Sequence, residues 1–369
     1  MLSGVNPPFR AEHIGSLLRP SYLLDLRVRF ARGEAGRDEL AAAEDRAIKE
    51  ALALQEGVGL KVATDGEFRR RSYHSFFYSQ LGDITIDVNG TASGVSGTRA
   101  DQPVSLINSR VVWTKPIEVA DFQFIEANTR LLPKITIPGP CALHYRGGDA
   151  AVLAGAYKDV DQFWDDIVVS FGKELAALAR AGCLYVQIDE TAFAKFGDPE
   201  VQSALEARGD DWNTLIDKYI AVTNRILSEA PADLRIGMHL CRGNRGGRWH
   251  AAGSYDVVAD RLFNMLDIKF YFLEYDSPRA GTFSPLRWVP PNKSVVLGIV
   301  TTKTSDVEGT VDLKRRLDEA TKYLSLDQLA ISPQCGFASV DTGNPISVEA
   351  QEQKLRLIVE FARETWGDS

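Results

Sequence analysis

The chain has 369 residues, with 42 Lys and Arg against 50 Asp and Glu, a formal net charge of −8. A pI near 5.3 excludes the broad basic surface that nucleic acid requires, and no apolar run approaches the roughly 20 residues that span a bilayer. Met1 to Arg10 lacks the apolar core of a secretory signal, and 4 cysteines are too sparse for a disulfide framework. A cytoplasmic protein with free thiols and with neither nucleic-acid nor membrane partners is expected.

In chain order, short runs rich in Val, Ile, Leu and aromatics fall at Ala11–Leu17, Lys61–Phe68, Lys134–Pro140, Leu184–Glu190, Arg235–Cys241, Lys269–Asp276, Ser294–Thr302 and Gln328–Cys335. Near-continuous apolar runs of this length are the pattern of parallel strands buried on both faces. Between them lie helical patterns at Asp38–Gln55, Asp161–Ala181, Asp211–Ser228, Ser254–Leu266, Thr310–Leu324 and Ser347–Thr365. Gly57 and Gly59 follow the first and Gly182 the second, as stop signals. The alternation predicts an α/β fold, a single (β/α)8 TIM barrel spanning 1–369, with its active site at the C-terminal ends of the strands.

One region breaks the alternation. Between the second and third strand patterns, about 75–130, the connection is too long for a simple βα loop and reads as a β-containing excursion over the barrel mouth. Asp83–Val88 alternates polar and apolar, and Asn89-Gly90 is a turn signal. The next β-like run is Asn108–Trp113, and Pro116 fits the first turn of a helix through Asp121–Asn128.

The chemistry-bearing residues sit at predicted strand ends. His239 and Cys241 are two apart, so they share one face of a strand and can converge on one metal ion. Glu274 ends the sixth run and Cys335 the eighth, and one His, two Cys and one Glu make an N/S/O set suited to zinc. Cys141 and Cys183 have no partner at ligand spacing and read as core. His74 and His250 likewise read as structural, and Arg69-Arg70-Arg71 as a solvated or anion-facing loop. The run Arg242-Gly243-Asn244-Arg245-Gly246-Gly247 lacks the lysine-serine pair of a P-loop and reads as ordering the mouth beside the metal.

Together, His239-x-Cys241, Glu274 and Cys335-Gly336 resemble the zinc set of the cobalamin-independent methionine synthase family, in its C-terminal catalytic barrel. Ile14-Gly15-Ser16 with Leu17-Leu18-Arg19-Pro20, Asp65-Gly66-Glu67 and Gln187-Ile188-Asp189-Glu190 resemble the family's first-, second- and fourth-strand motifs. The resemblance implies zinc held by His239, Cys241, Glu274 and Cys335, and a thiol amino acid held by Ser16, Glu67 and Asp189, with Asp189 accepting from its amino group. His13, ahead of the first motif, and His144-Tyr145-Arg146-Gly147-Gly148 look like the single-barrel homologues, and His13 joins the substrate-binding positions.

Two departures bear on the donor. The resemblance covers one barrel, whereas the full-length synthases carry two. Where the family places an acidic histidine on its seventh strand, this chain has Lys303, which is assigned a catalytic place here or an anion-binding one. The implied activity is zinc-dependent methyl transfer to a thiol, homocysteine first, from a small-molecule donor. Alkyl transfer to another thiol such as coenzyme M, and thiol binding without chemistry, are the alternatives. A methyl-delivering protein and a second copy of the chain are left open as partners.

Overall fold

The computed structural model describes residues 9–87 and 104–367. Its centre is a six-stranded parallel sheet of β5 (Ile135–Pro138), β6 (Tyr185–Asp189), β7 (Arg235–Leu240), β8 (Phe270–Glu274), β9 (Ser294–Val300) and β10 (Leu329–Pro333), hydrogen-bonded in that order. Every one of these strands is buried along its length apart from Arg235 at the start of β7, which is why their sequences run apolar without alternation. Beside them, β1 (Val62–Ala63) pairs in parallel with β4 (Leu132–Pro133), just ahead of β5. The predicted third strand, Lys134–Pro140, therefore pairs with β6 through β5, while the contact with β1 is made just ahead of it by Leu132–Pro133.

Two predicted strands are shorter than their apolar runs. The first segment is extended but pairs only at Ala11, opposite Ile331 of β10, with Glu12 N–H donating to the Ile331 carbonyl at 2.9 Å. The second ends at Ala63 because Thr64 and Asp65 side chains capture the amides of Gly66 (3.2 Å) and Glu67 (2.9 Å), a local turn that competes with the ladder. In the long connection, β2 (Ile84–Asp87) pairs antiparallel with β3 (Val104–Ile107). The partner is thus Val104–Ile107 rather than Asn108–Trp113. Those later residues form no strand: Asn108 and Val112 N–H donate to the Asp83 and Leu81 carbonyls, Val111 N–H to the Tyr157 hydroxyl and Trp113 Nε1 to Glu174. Glu174 also takes the amides of Ile117 and Glu118, so the helix starts at Val119, beyond Pro116. The Asn89-Gly90 turn lies outside the described residues.

The six predicted helices are present, including Arg37–Gly57, Val160–Arg180, Trp212–Ser228 and Val348–Trp366. Helices Ser21–Ala31 and Pro199–Arg208 are additional. Ile14, Val62, Tyr185, Phe270, Phe272, Val296 and Ala330 form a core cluster of their own, separate from the larger one beneath the helices. Beside it lies a buried polar bridge, with Lys134 Nζ 3.2 Å from Glu12 and the Tyr185 hydroxyl donating to Glu12 at 2.9 Å. No helix among the described residues is long and apolar enough to cross a membrane.

Candidate functional site

His239 lies near the end of β7 and Cys241 one residue beyond it, while Cys335 lies two residues past β10. Strand alternation turns His239 and Cys241 to the same face. Their ligating atoms and that of Cys335 all lie within 4.8 Å of one another, and the two sulfurs are 3.8 Å apart. All three residues are buried, and neither ring nitrogen of His239 has a hydrogen-bond partner. The Cys335 thiol is driven well below its ordinary range by the neighbouring Cys241 thiol and by His239.

This trio fits a zinc ion. Two thiolates at about 2.3 Å from a tetrahedral zinc stand roughly 3.8 Å apart. A buried imidazole with both nitrogens unpartnered is costly unless a nitrogen is coordinated.

Glu274, the fourth expected ligand, stands outside the trio. Its Oε1 lies 2.5 Å from Arg279 and 3.4 Å from Lys303, and its Oε2 accepts from the Arg242 amide at 2.6 Å. Burial alone would raise this carboxyl, but Lys303, Arg242 and Arg279 outweigh burial and hold it at about 2. Lys303 also reaches Asp276 at 3.5 Å, and these carboxylates raise it against its burial, so it stays charged.

Ser16, Glu67, Asp189, His239, Cys241 and Cys335 line one cavity of about 1030 Å³. Glu67 has φ of +61°, the single non-glycine residue at positive φ among those described. Its Oε1 accepts from the Thr136 hydroxyl at 3.1 Å, while Oε2 is buried without a partner, and burial raises the group. Burial likewise raises Asp189 to about 7, with the Glu67 charge adding to it and His239 opposing. Two buried acids thus face the cavity beside the trio. The Ser16 hydroxyl accepts from the Ala338 amide at 3.3 Å, joining the first segment to the loop after β10. His13, Glu274 and Lys303 are not among the lining residues. His13 is buried, and its carbonyl accepts from Lys134.

The basic triplet divides: Arg69 and Arg70 are held in ion pairs largely away from solvent, whereas Arg71 is exposed and lines the cavity. Arg69 pairs with Asp45 and Asp121, Arg70 with Glu118, and Arg71 with Asp341. The glycine-rich run links loops: Asn244 Nδ2 donates to the Gly336 carbonyl at 2.9 Å and Gly247 N–H to Asn344 at 3.0 Å. His74 bonds Ser75 at 3.0 Å, but it also lines the cavity. Sequence reasoning missed Arg279, Tyr73 and Lys195, because no spacing ties these positions to the metal motif.

The catalytic domain of the cobalamin-independent synthases matches this chain over residues 9–364. The uncharacterised protein YxjH of Bacillus subtilis (strain 168) is 36% identical over 361 residues, covering 97% of this chain and 95% of that protein. A Listeria monocytogenes crystal structure, provisionally assigned as a vitamin-B12 independent methionine synthase, is similar with a TM-score of 0.73 and 32% identity, covering 98% of each chain. The structure of a B12-independent methionine synthase from Shewanella sp. W3-18-1 in complex with selenomethionine has a TM-score of 0.72 at 20% identity, covering 96% of this chain and 97% of that one. The chain belongs to the cobalamin-independent synthase catalytic-domain family.

Proposed function

We propose that this member of a methyltransferase family is a zinc-dependent thiol methyltransferase, with homocysteine as the first acceptor and methionine as product. The observation that carries the reading is a buried His-Cys-Cys trio opening into the same cavity as two buried acids, Glu67 and Asp189, that form no ion pair among the described residues. The eight strand segments are read as a closed (β/α)8 barrel forming one domain, with β2 and β3 in an excursion beside the mouth. The Shewanella relative, complexed with selenomethionine, supports an amino-acid thioether or thiol as ligand.

His239, Cys241 and Cys335 are assigned as zinc ligands, with Glu274 the candidate fourth. Bound zinc supplies deprotonation of the acceptor thiol, which is otherwise mostly protonated at neutral pH with a pKa of about 8.5. Asp189 and Glu67 are assigned to the substrate ammonium, whose charge satisfies both acids, and Ser16 to its carboxylate end. His13, whose carbonyl fixes Lys134, is assigned to supporting this wall from beneath. Lys303, bound to Glu274 and Asp276, is assigned to positioning Glu274. That engagement removes the motive for giving it a sulfonated thiol such as coenzyme M.

The test is zinc content together with homocysteine methylation by a panel of methyl donors, including folate and methylcobalamin forms. Stoichiometric zinc, and its loss together with activity in Cys335→Ser, is the expected result. Full activity in metal-free protein would overturn the reading.

A further inference from the structure

Methyl transfer needs a second reactant, and one wall of the cavity has no part in holding the thiol. Arg146 follows the short helix Ala142–Tyr145 after β5, and Lys195 ends the short helix Ala192–Lys195 after β6. Both line the cavity, and both are more than nine-tenths buried, at 8% and 5% exposure. A cation stripped of water at this depth is ordinarily matched by a carboxylate.

Here, among the described residues, neither cation forms an ion pair. Arg146 Nη2 donates to the Tyr73 hydroxyl at 3.1 Å and Nη1 to the Ala142 carbonyl at 3.5 Å. Lys195 Nζ lies 5.1 Å from the centre of the Tyr145 ring. Glu190, the carboxylate whose charge reaches both, accepts from the amides of Cys141 and Ala192, each at 3.0 Å. The resulting field reaches His74, whose imidazole is held well below its usual range by burial and then by Arg146, Lys195 and Arg245. The cavity is therefore polarised, with acids at Glu67 and Asp189 and, on the Arg146 side, cations that feel the Glu190 charge but form no ion pair with it among the described residues.

We propose that Arg146 and Lys195 form an anion subsite for a carboxylate, sulfonate or phosphate of the methyl donor. Two sources share this chemistry: the donor, and the carboxylate of the thiol amino acid itself. The donor is favoured because Ser16, Glu67 and Asp189 already engage an amino acid, and a cavity of about 1030 Å³ holds far more than one. Guanidinium and ammonium offer donors and no acceptor, so this wall selects against a neutral heterocycle that presents N–H groups. Naming the second reactant a methyl donor rests on the proposed function; the subsite itself does not.

Calorimetry with inorganic sulfate on the zinc-loaded protein, with and without saturating methionine, tests the assignment. Sulfate is expected to bind with methionine present, to bind about tenfold more weakly in Lys195→Gln through loss of a charge-assisted contact, and to recover in Lys195→Arg. Displacement of sulfate by methionine would overturn the donor assignment, as would a Lys195→Gln variant that weakens methionine but not 3-(methylthio)propylamine. Equal sulfate binding by parent and Lys195→Gln, or no binding by the parent, would overturn the subsite. Zinc content and methionine binding on the same samples report failure of the methyltransferase reading separately, since sulfate binding needs no turnover.

Discussion

Three cations crowd the Glu274 carboxylate: Arg279 at 2.5 Å, Lys303 at 3.4 Å and the Arg242 guanidinium at 3.7 Å. Glu274→Gln keeps the shape and removes the charge, leaving buried cations around a neutral group. The expected cost is about 3–5 kcal/mol, read as a lower urea midpoint. Zinc is expected to remain bound, because His239, Cys241 and Cys335 are untouched, though more weakly. A variant with unchanged midpoint would leave Glu274 without its ion-pair role. Spacing alone reaches His239 and Cys241, since strand alternation fixes their common face. It cannot reach the Lys303–Glu274 pair, because which carboxylate a loop lysine meets is decided where the ends of β8 and β9 pack.

The segments around the site depend on close approach between elements far apart in sequence. A Cβ built on Gly336 would lie 1.9 Å from Ser16 Oγ, so a side chain there forces the Ser16 hydroxyl or the loop after β10 to move. Gly336→Ala is expected to cost about 1–3 kcal/mol through overpacking. It should also weaken methionine binding, because Ser16 and Cys335 both flank the contact; calorimetry beside a denaturation curve separates the two effects. The helices were legible because each carries an apolar stripe of its own, as at Phe163, Ile167 and Phe171. Strand lengths were not: the ladder at Ala63 stops where the Gln55 and Thr64 side chains claim the Thr64 and Gly66 amides, and the first segment pairs at Ala11 alone. The strand Val104–Ile107 was missed because its partnership with β2 crosses a long connection.

Across the molecule, the metal trio joins β7 to the loop after β10, with β8 and β9 between them in the sheet. A ligand that binds the folded chain alone adds stability by mass action, about 2.7 kcal/mol at a hundredfold excess over its Kd. Chelation is therefore expected to lower the unfolding midpoint of the whole protein, and zinc but not magnesium to restore it. An unchanged midpoint would place the metal off this framework. The overall α/β order was readable from alternation, since buried strands and amphipathic helices repeat along the chain, whereas the polarity of the cavity depends on loops such as Ala192–Lys195. Glu67 shows what such a site costs its owner. Its left-handed backbone and unpartnered buried oxygen both oppose folding, so Glu67→Gly is expected to raise the melting temperature while abolishing methionine binding. Selection for robustness alone would discard this residue, and its presence marks a position retained for work rather than for endurance.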